Sequence, residues 1–237
     1  MRAVILAGGR GSRLAPYTTV LPKPLMPIGE VPIIEIVIRQ LRYFGFKRIT
    51  LAVGHLSELI DAYLKSRRDR FDGVEIDFAY ESQPTGTAGA LAGIPGLSET
   101  FLAMNGDILT DLDYGKLVEH HRSTGAMLTV AVARRQVKID FGAVETDHEG
   151  WIRAYVEKPE LSYCVSMGVY MYEPGSFEHG PRDGYLDFPE LVHRLLARGQ
   201  RVAAYVWDGY WLDIGRPEDL QTANDRFSSM RRELHID

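Results

Sequence analysis

The chain has one cysteine, Cys164, in 237 residues. A single thiol excludes an intramolecular disulfide framework and fits a reducing, cytoplasmic compartment. No apolar run approaches the roughly 18 residues of a membrane span. No small-residue cleavage site follows the short apolar N-terminal stretch, so neither a signal peptide nor a membrane partner is expected. A basic excess is missing too. Lys and Arg number 27 against 32 Asp and Glu, a net charge of −5, which excludes non-specific nucleic-acid binding. Any anion must therefore be caught at a local site. The histidines form no zinc spacing, and with one cysteine a structural zinc site is not expected.

What is present reads as alternation. Ala3–Ala7 is a short apolar run stopped by Gly8 and Gly9, the pattern of a buried parallel strand. A helical pattern follows over Pro32–Phe44, closed by Gly45. Further strands are expected at Ile49–Val53, Val74–Tyr80, Phe101–Met104 and Met127–Ala133. Helices are expected from Ser57, read as an N-cap, and from Asp113, read as another. From about Phe141 the rhythm changes to strands at Ala143–Thr146, Ile152–Val156 and Val165–Tyr172. Alternation resumes with a helix at Pro189–Ala197, strands at Val202–Val206 and Trp211–Ile214, and a helix from Pro217. The expected fold is α/β: a Rossmann-like, mostly parallel mixed sheet with helices on both faces and a small antiparallel subregion. Cys164 reads as a packed thiol in an apolar strand, and the tryptophans read as core.

Six segments could carry chemistry. Gly8-Gly9-Arg10-Gly11-Ser12-Arg13-Leu14 follows the first strand, where glycines let backbone N–H groups approach phosphate. It lacks the third glycine of a dinucleotide fingerprint and the Gly-Lys-Ser/Thr ending of a Walker A loop. In Pro22-Lys23-Pro24, two prolines hold one lysine extended. Gln83-Pro84-Thr85-Gly86-Thr87 is a loop that could wrap a planar base. Asp107 ends a buried strand at the edge where ligands bind in open α/β sheets, and is a natural Mg²⁺ ligand. Asp213 in Trp211-Leu212-Asp213-Ile214-Gly215 ends another strand and could meet Asp107 at one metal. Glu157-Lys158 pairs a carboxylate with a cation at a strand end. Asp111-x-Asp113 could be a metal pair, although helix capping suits Asp113 better. Each segment alone is also an ordinary turn or charge pair.

Their order and joint presence resemble the sugar-1-phosphate nucleotidylyltransferases, over Ala3 to about Phe227. That resemblance implies one catalytic domain over 1–237, with a nucleotide-binding part to about 135, a sugar-binding part from about 136, and no appended β-helix domain. It implies that a nucleoside triphosphate and a sugar 1-phosphate are converted to an NDP-sugar and pyrophosphate, with Mg²⁺. Arg13, Lys23 and Asp107 would be catalytic. Gly8, Gly9, Gly11, Ser12, Gln83, Gly86 and Thr87 would hold the nucleotide. Gly142, Glu157, Lys158 and Ser166 would hold the sugar phosphate, and Asp107 and Asp213 the metal. The base stays open: the Gln83 amide suits uracil or thymine, and similarity to guanylyltransferases keeps GTP in view. A nucleotide-sugar-binding paralogue without activity and a nucleotide-sugar-dependent glycosyltransferase are the competing readings. A homo-oligomer remains open.

Overall fold

The computed structural model describes residues 1–81, 83–178 and 184–236. The first half runs β1 (Arg2–Ala7), a small hairpin of β2 (Pro27–Ile28) and β3 (Val31–Pro32), α1 (Ile33–Tyr43), β4 (Arg48–Val53), α2 (Ser57–Ser66), β5 (Glu75–Tyr80), α3 (Thr87–Ala92), β6 (Phe101–Asn105), β7 (Ile108–Thr110) and α4 (Tyr114–Thr124). The second half runs β8 (Leu128–Lys138), β9 (Ala143–Thr146), β10 (Ile152–Val156), β11 (Glu160–Tyr172), α5 (Phe188–Ala197), β12 (Val202–Trp207), β13 (Trp211–Asp213) and α6 (Pro217–Met230).

Seven strands form one sheet in the order β12-β8-β11-β6-β1-β4-β5. All neighbours pair in parallel except β11, which runs antiparallel to both β8 and β6. The alternation of β1 divides the core. Ala3, Ile5 and Ala7 join α1, α2, α4 and α6 on one face, while Val4 joins α3 and α5 on the other. The fold is thus the expected mostly parallel α/β sheet with helices on both faces. Helix α1 is buried over most of its surface: Ile33, Ile34, Ile36, Val37, Ile38 and Leu41 are buried, together with the polar Glu35 and Gln40. Its first N–H is satisfied by the Met26 carbonyl at 3.1 Å, and Gly45 closes it at φ 82°. The chain that carries Lys23 is therefore seated against the core.

Three local expectations are corrected. Ser57 is the first helical residue rather than a cap; Leu56 holds the N-cap in a left-handed conformation with no side-chain bond. Asp113 caps α4 as expected, accepting from Lys116 N at 2.9 Å. Cys164 is exposed, because the first half of β11 extends beyond the packed sheet. Trp151 is 67% exposed for a similar reason, lying at the turn of the β9–β10 hairpin.

His121 on α4 is buried between Thr129 Oγ1, 2.8 Å from Nδ1, and Glu173 Oε1, 3.1 Å from Nε2. Burial lowers its pKa, opposed by Glu173. A depressed histidine pKa means the unfolded chain takes up the proton first. Stability is then fully present above the unfolded value of about 6.5 and is lost as the pH falls below it. We expect the melting temperature to fall from pH 7.5 to 5.5, and the slope to flatten in His121→Gln. An unchanged slope in that variant would exclude His121 as its source.

Candidate active site

The site grows from the carboxyl ends of parallel strands, where an open α/β sheet leaves a crevice. β1 ends at Ala7 and passes into Gly8 and Gly9. β6 ends at Asn105 and passes through Gly106, whose N–H donates to the Leu6 carbonyl at 2.9 Å. A Cβ on Gly106 would stand 3.0 Å from that carbonyl oxygen. The tight approach aims Asp107 over the end of β1.

Lys23 enters from the side. Pro22 is extended at ψ 142°, and Lys23–Leu25 form one tight 3₁₀ turn. The Lys23 side chain is only 10% exposed. Its Nζ donates to Asp107 Oδ2 and lies 3.9 Å from Asp213 Oδ1. The second carboxylate arrives through β13, which pairs antiparallel with β7 and sets Asp213 opposite Ile108. The Ile214 N–H then donates to the Asp107 carbonyl at 3.0 Å. Two acids separated by over a hundred residues thus flank one lysine. Loss of solvent raises the Asp213 pKa, Asp107 adds to the rise, and Lys23 and Arg13 oppose it. Asp107 Oδ1 is buried with no hydrogen-bond partner among the described residues.

The glycine loop is tied to the lysine. Gly11 has φ 61°, a left-handed conformation that favours glycine. A Cβ there would meet Thr18 Cγ2 at 2.9 Å and Lys23 Cβ at 3.3 Å. The buried Thr18 hydroxyl donates to the Gly11 carbonyl at 2.8 Å. Ser12 and Arg13 sit on the exposed 3₁₀ turn that follows. The Arg13 guanidinium rests on Gly215, where a Cβ would be 3.1 Å from Nη2.

Gly8, Gly9, Lys23, Gly86, Thr87 and Asp107 all line one cleft of about 340 Å³. Its far wall is a loop pinned to Leu186: the N–H groups of Ala88 and Gly89 donate to the Leu186 carbonyl, and Leu186 N donates to Thr85 O. Gly86 takes φ 81° with that same carbonyl only 2.6 Å from where its Cβ would be. Thr87 Oγ1 accepts from Phe188 N at 3.0 Å, so its side chain helps hold the wall. Gln83 is exposed and faces a neighbouring cavity.

The residue in the cleft that sequence reasoning passed over is Glu81. Its Oε1 accepts from Thr85 Oγ1 at 2.8 Å, and its Oε2 lies 2.9 Å from a Cβ built on Gly8. The signal was available: like Asp107, it is a carboxylate just past the end of a parallel strand.

The other expected residues stand apart. Gly142 and Glu157 meet at Tyr155, whose hydroxyl donates to Glu157 Oε2 at 2.8 Å and would be 2.0 Å from a Gly142 Cβ. Lys158 follows with φ 46°. None of these three lines the cleft. Ser166 precedes a break in the β8–β11 register and donates to the Tyr170 hydroxyl at 3.1 Å. Burial raises the Tyr170 pKa, the Ser166 hydroxyl opposes that rise, and Asp107 adds to it. Asp111 accepts from Trp207 Nε1 at 2.8 Å and Asp113 caps α4. The Asp111-x-Asp113 segment is therefore engaged in structure rather than open as a metal pair.

The family model described as Nucleotidyl transferase matches residues 2–229. The chain belongs to the nucleotidyl transferase family. It is 32% identical to the catalytic subunit beta of mannose-1-phosphate guanylyltransferase from Drosophila pseudoobscura pseudoobscura, over 98% of this chain and 64% of that protein. It is 34% identical to a UTP–glucose-1-phosphate uridylyltransferase from Synechocystis, over 94% of this chain and 62% of that one. The chain thus spans a little under two thirds of the length of these curated relatives. Among solved structures, HddC from Yersinia pseudotuberculosis complexed with GMP-PN superposes with a TM-score of 0.72 at 28% identity, over 95% of this chain and 99% of that one.

In this nucleotidyl transferase fold, Gly11→Ala should be costly, since a left-handed φ and a methyl against Thr18 act together. We expect a loss of roughly 1–3 kcal/mol in chemical denaturation. A variant as stable as the wild type would show that the loop is not held as described.

Proposed function

We propose that the chain transfers a guanylyl group from GTP to a sugar 1-phosphate and releases pyrophosphate. The observation that carries the reaction class is the convergence of two strand-end glycines, a prolyl-flanked lysine and Asp107 on one cleft. A phosphate oxygen of the sugar 1-phosphate attacks the α-phosphorus in line. The bond from the α-phosphorus to the bridging oxygen breaks, and its electron pair leaves with pyrophosphate. The nucleophile is already anionic, so no strong general base is needed. The work is to bring two anions together and to stabilise charge, which positioned cations do.

In this reading Gly8, Gly9, Gly11 and Ser12 present backbone N–H groups to the triphosphate. Lys23 and Arg13 stabilise charge at the α-phosphate and on the leaving group. Gly142, Glu157, Lys158 and Ser166 lie on the sugar side. Asp107 and Asp213 suit a hard divalent cation: both offer carboxylate oxygen, and Asp107 Oδ1 has no other partner among the described residues. No group of three or more acidic, histidine or cysteine side chains converges among the described residues, so phosphate and water oxygens would complete the shell. When bound, Mg²⁺ would neutralise charge on the phosphates. No helix among the described residues is long and apolar enough to cross a membrane, and the single cysteine fits a cytoplasmic setting.

Glu81 supports guanine as the base. A carboxylate is acceptor-only, and guanine presents two adjacent N–H donors on its Watson–Crick edge. Uracil and thymine present one N–H between two carbonyls, which a carboxylate would repel. Glu81 stands in the cleft wall between Gly8 and Gly86, while Gln83 and Thr87 border it from outside and from the loop end. Glu81→Gln should reduce the preference for GTP over UTP and dTTP by roughly 10- to 100-fold, read from kcat/KM with each nucleotide. An unchanged profile would remove Glu81 from base reading. Lys23→Ala should lower kcat/KM by roughly 100- to 1,000-fold with the fold intact by circular dichroism. Near-native rates in that variant would overturn the assignment of the cleft.

A further inference from the structure

The β9–β10 hairpin brings three side chains to one point. Its register sets Tyr155 opposite Val144 and Val156 opposite Ala143. Gly142 directly precedes that last pair, and Glu157 directly follows it. Tyr155 and Glu157 are two residues apart, so they leave an extended segment on the same face. The Pro159 carbonyl accepts from Ile139 N at 3.1 Å, which ties the two ends of the hairpin together.

The Tyr155 ring lies across Gly142. A Cβ built on that glycine would stand 2.0 Å from the phenol oxygen and 2.4 Å from Cζ. Gly142 does not take a positive φ. The ring contact, and not the backbone, is what requires glycine there. From this seat the Tyr155 hydroxyl donates to Glu157 Oε2 at 2.8 Å. The bond to Glu157, and after it the loss of solvent, raises the Tyr155 pKa. The phenol therefore keeps its proton at neutral pH.

That bond fixes what the pair can offer a ligand. A phenol has one proton to donate and a carboxylate has none. With the proton committed to Oε2, the phenol oxygen and Oε1 are both left as acceptors. Two acceptors side by side suit two hydroxyl donors on adjacent carbons, the edge of a vicinal diol. Tyr155 is 61% exposed and Glu157 is exposed. A hydrogen bond in water adds little to stability, so the fold gains little from an arrangement that three residues share.

We propose that Tyr155 sets specificity for the sugar 1-phosphate: seated on Gly142, it orients the Glu157 carboxylate so that the two side chains accept from a vicinal diol of the sugar. This rests on the reaction proposed above. None of the three residues lines the nucleotide cleft, so the selection acts on the sugar and leaves the nucleotide alone.

The test is steady-state kinetics with the nucleotide and sugar 1-phosphate that the wild type turns over fastest. Tyr155→Phe keeps the ring on Gly142 and removes the hydroxyl. It should raise KM for the sugar 1-phosphate roughly 10-fold, with kcat and the nucleotide KM within about twofold. Gly142→Ala, which pushes the ring off its seat, should raise the same KM. Glu157→Ala should raise it too, and the Tyr155→Phe, Glu157→Ala double variant should lose less than the product of the two single losses. Deoxy analogues at two adjacent ring carbons should each raise KM in the wild type. If Glu157→Ala raises the sugar KM while Tyr155→Phe leaves it unchanged, the role of Tyr155 is overturned and the reaction stands. The same follows if the nucleotide KM rises equally, if the single losses multiply, or if no adjacent pair of hydroxyls matters. No effect of Glu157→Ala removes the hairpin from the sugar site. No turnover by the wild type with any pair overturns the reaction, and this inference with it.

Discussion

The site depends on one contact, the Lys23 ammonium held against Asp107 with Asp213 beyond it. Each member comes from a different part of the chain. Lys23 is staged by two prolines on a turn packed over α1, Asp107 follows the buried β6, and Asp213 arrives on β13 by pairing with β7. Two carboxylates this close would repel each other, and the lysine between them offsets that repulsion. The same lysine, nearly buried yet lining the cleft, keeps a cation ready where phosphate would enter. On the proposed function, a net charge of −5 is compatible with an anion site: the cations need only be local and fixed.

From that contact the glycines acquire specific reasons. Gly11 must be left-handed and bare because Thr18 and Lys23 occupy the space its Cβ would need. Gly106 must be bare for β6 to turn beside β1, and Gly86 because its loop closes on the Leu186 carbonyl. A substitution at Gly106 or Gly86 would move a wall of the cleft, and one at Gly11 would press on Lys23, which lines it. The cleft is therefore a set of close backbone approaches arranged around one ion pair.

Much of the fold was legible in the sequence because buried parallel strands and amphipathic helices differ in period and length. The run Ala3–Ala7 before two glycines, the α1 pattern before Gly45 and the Asp113 cap all follow from local chemistry. What local chemistry does not reveal is pairing at a distance. β7 is three residues long, and nothing in Ile108–Thr110 announces that it will pair with Trp211–Asp213. That pairing unites the two acids that the family resemblance had linked. Glu81 was hidden differently: attention went to the Gln83 amide two residues later, although Glu81 is nearer the strand end and stands in the cleft. The outer half of β11 misled for a third reason. Cys164, read as packed, lies just before the strand expected at Val165–Tyr172, and only the half of β11 between β6 and β8 has neighbours on both sides. Cys164 and Tyr163 fall in the other half and are exposed.

The most direct test of the account is pyrophosphate release by the wild-type chain with Mg²⁺, across GTP, UTP, dTTP, CTP and ATP, each offered several sugar 1-phosphates. The account predicts release that requires both substrates and is fastest with GTP. No release with any pair would contradict the assignment of the cleft, and a clear preference for UTP or dTTP would contradict the role given to Glu81.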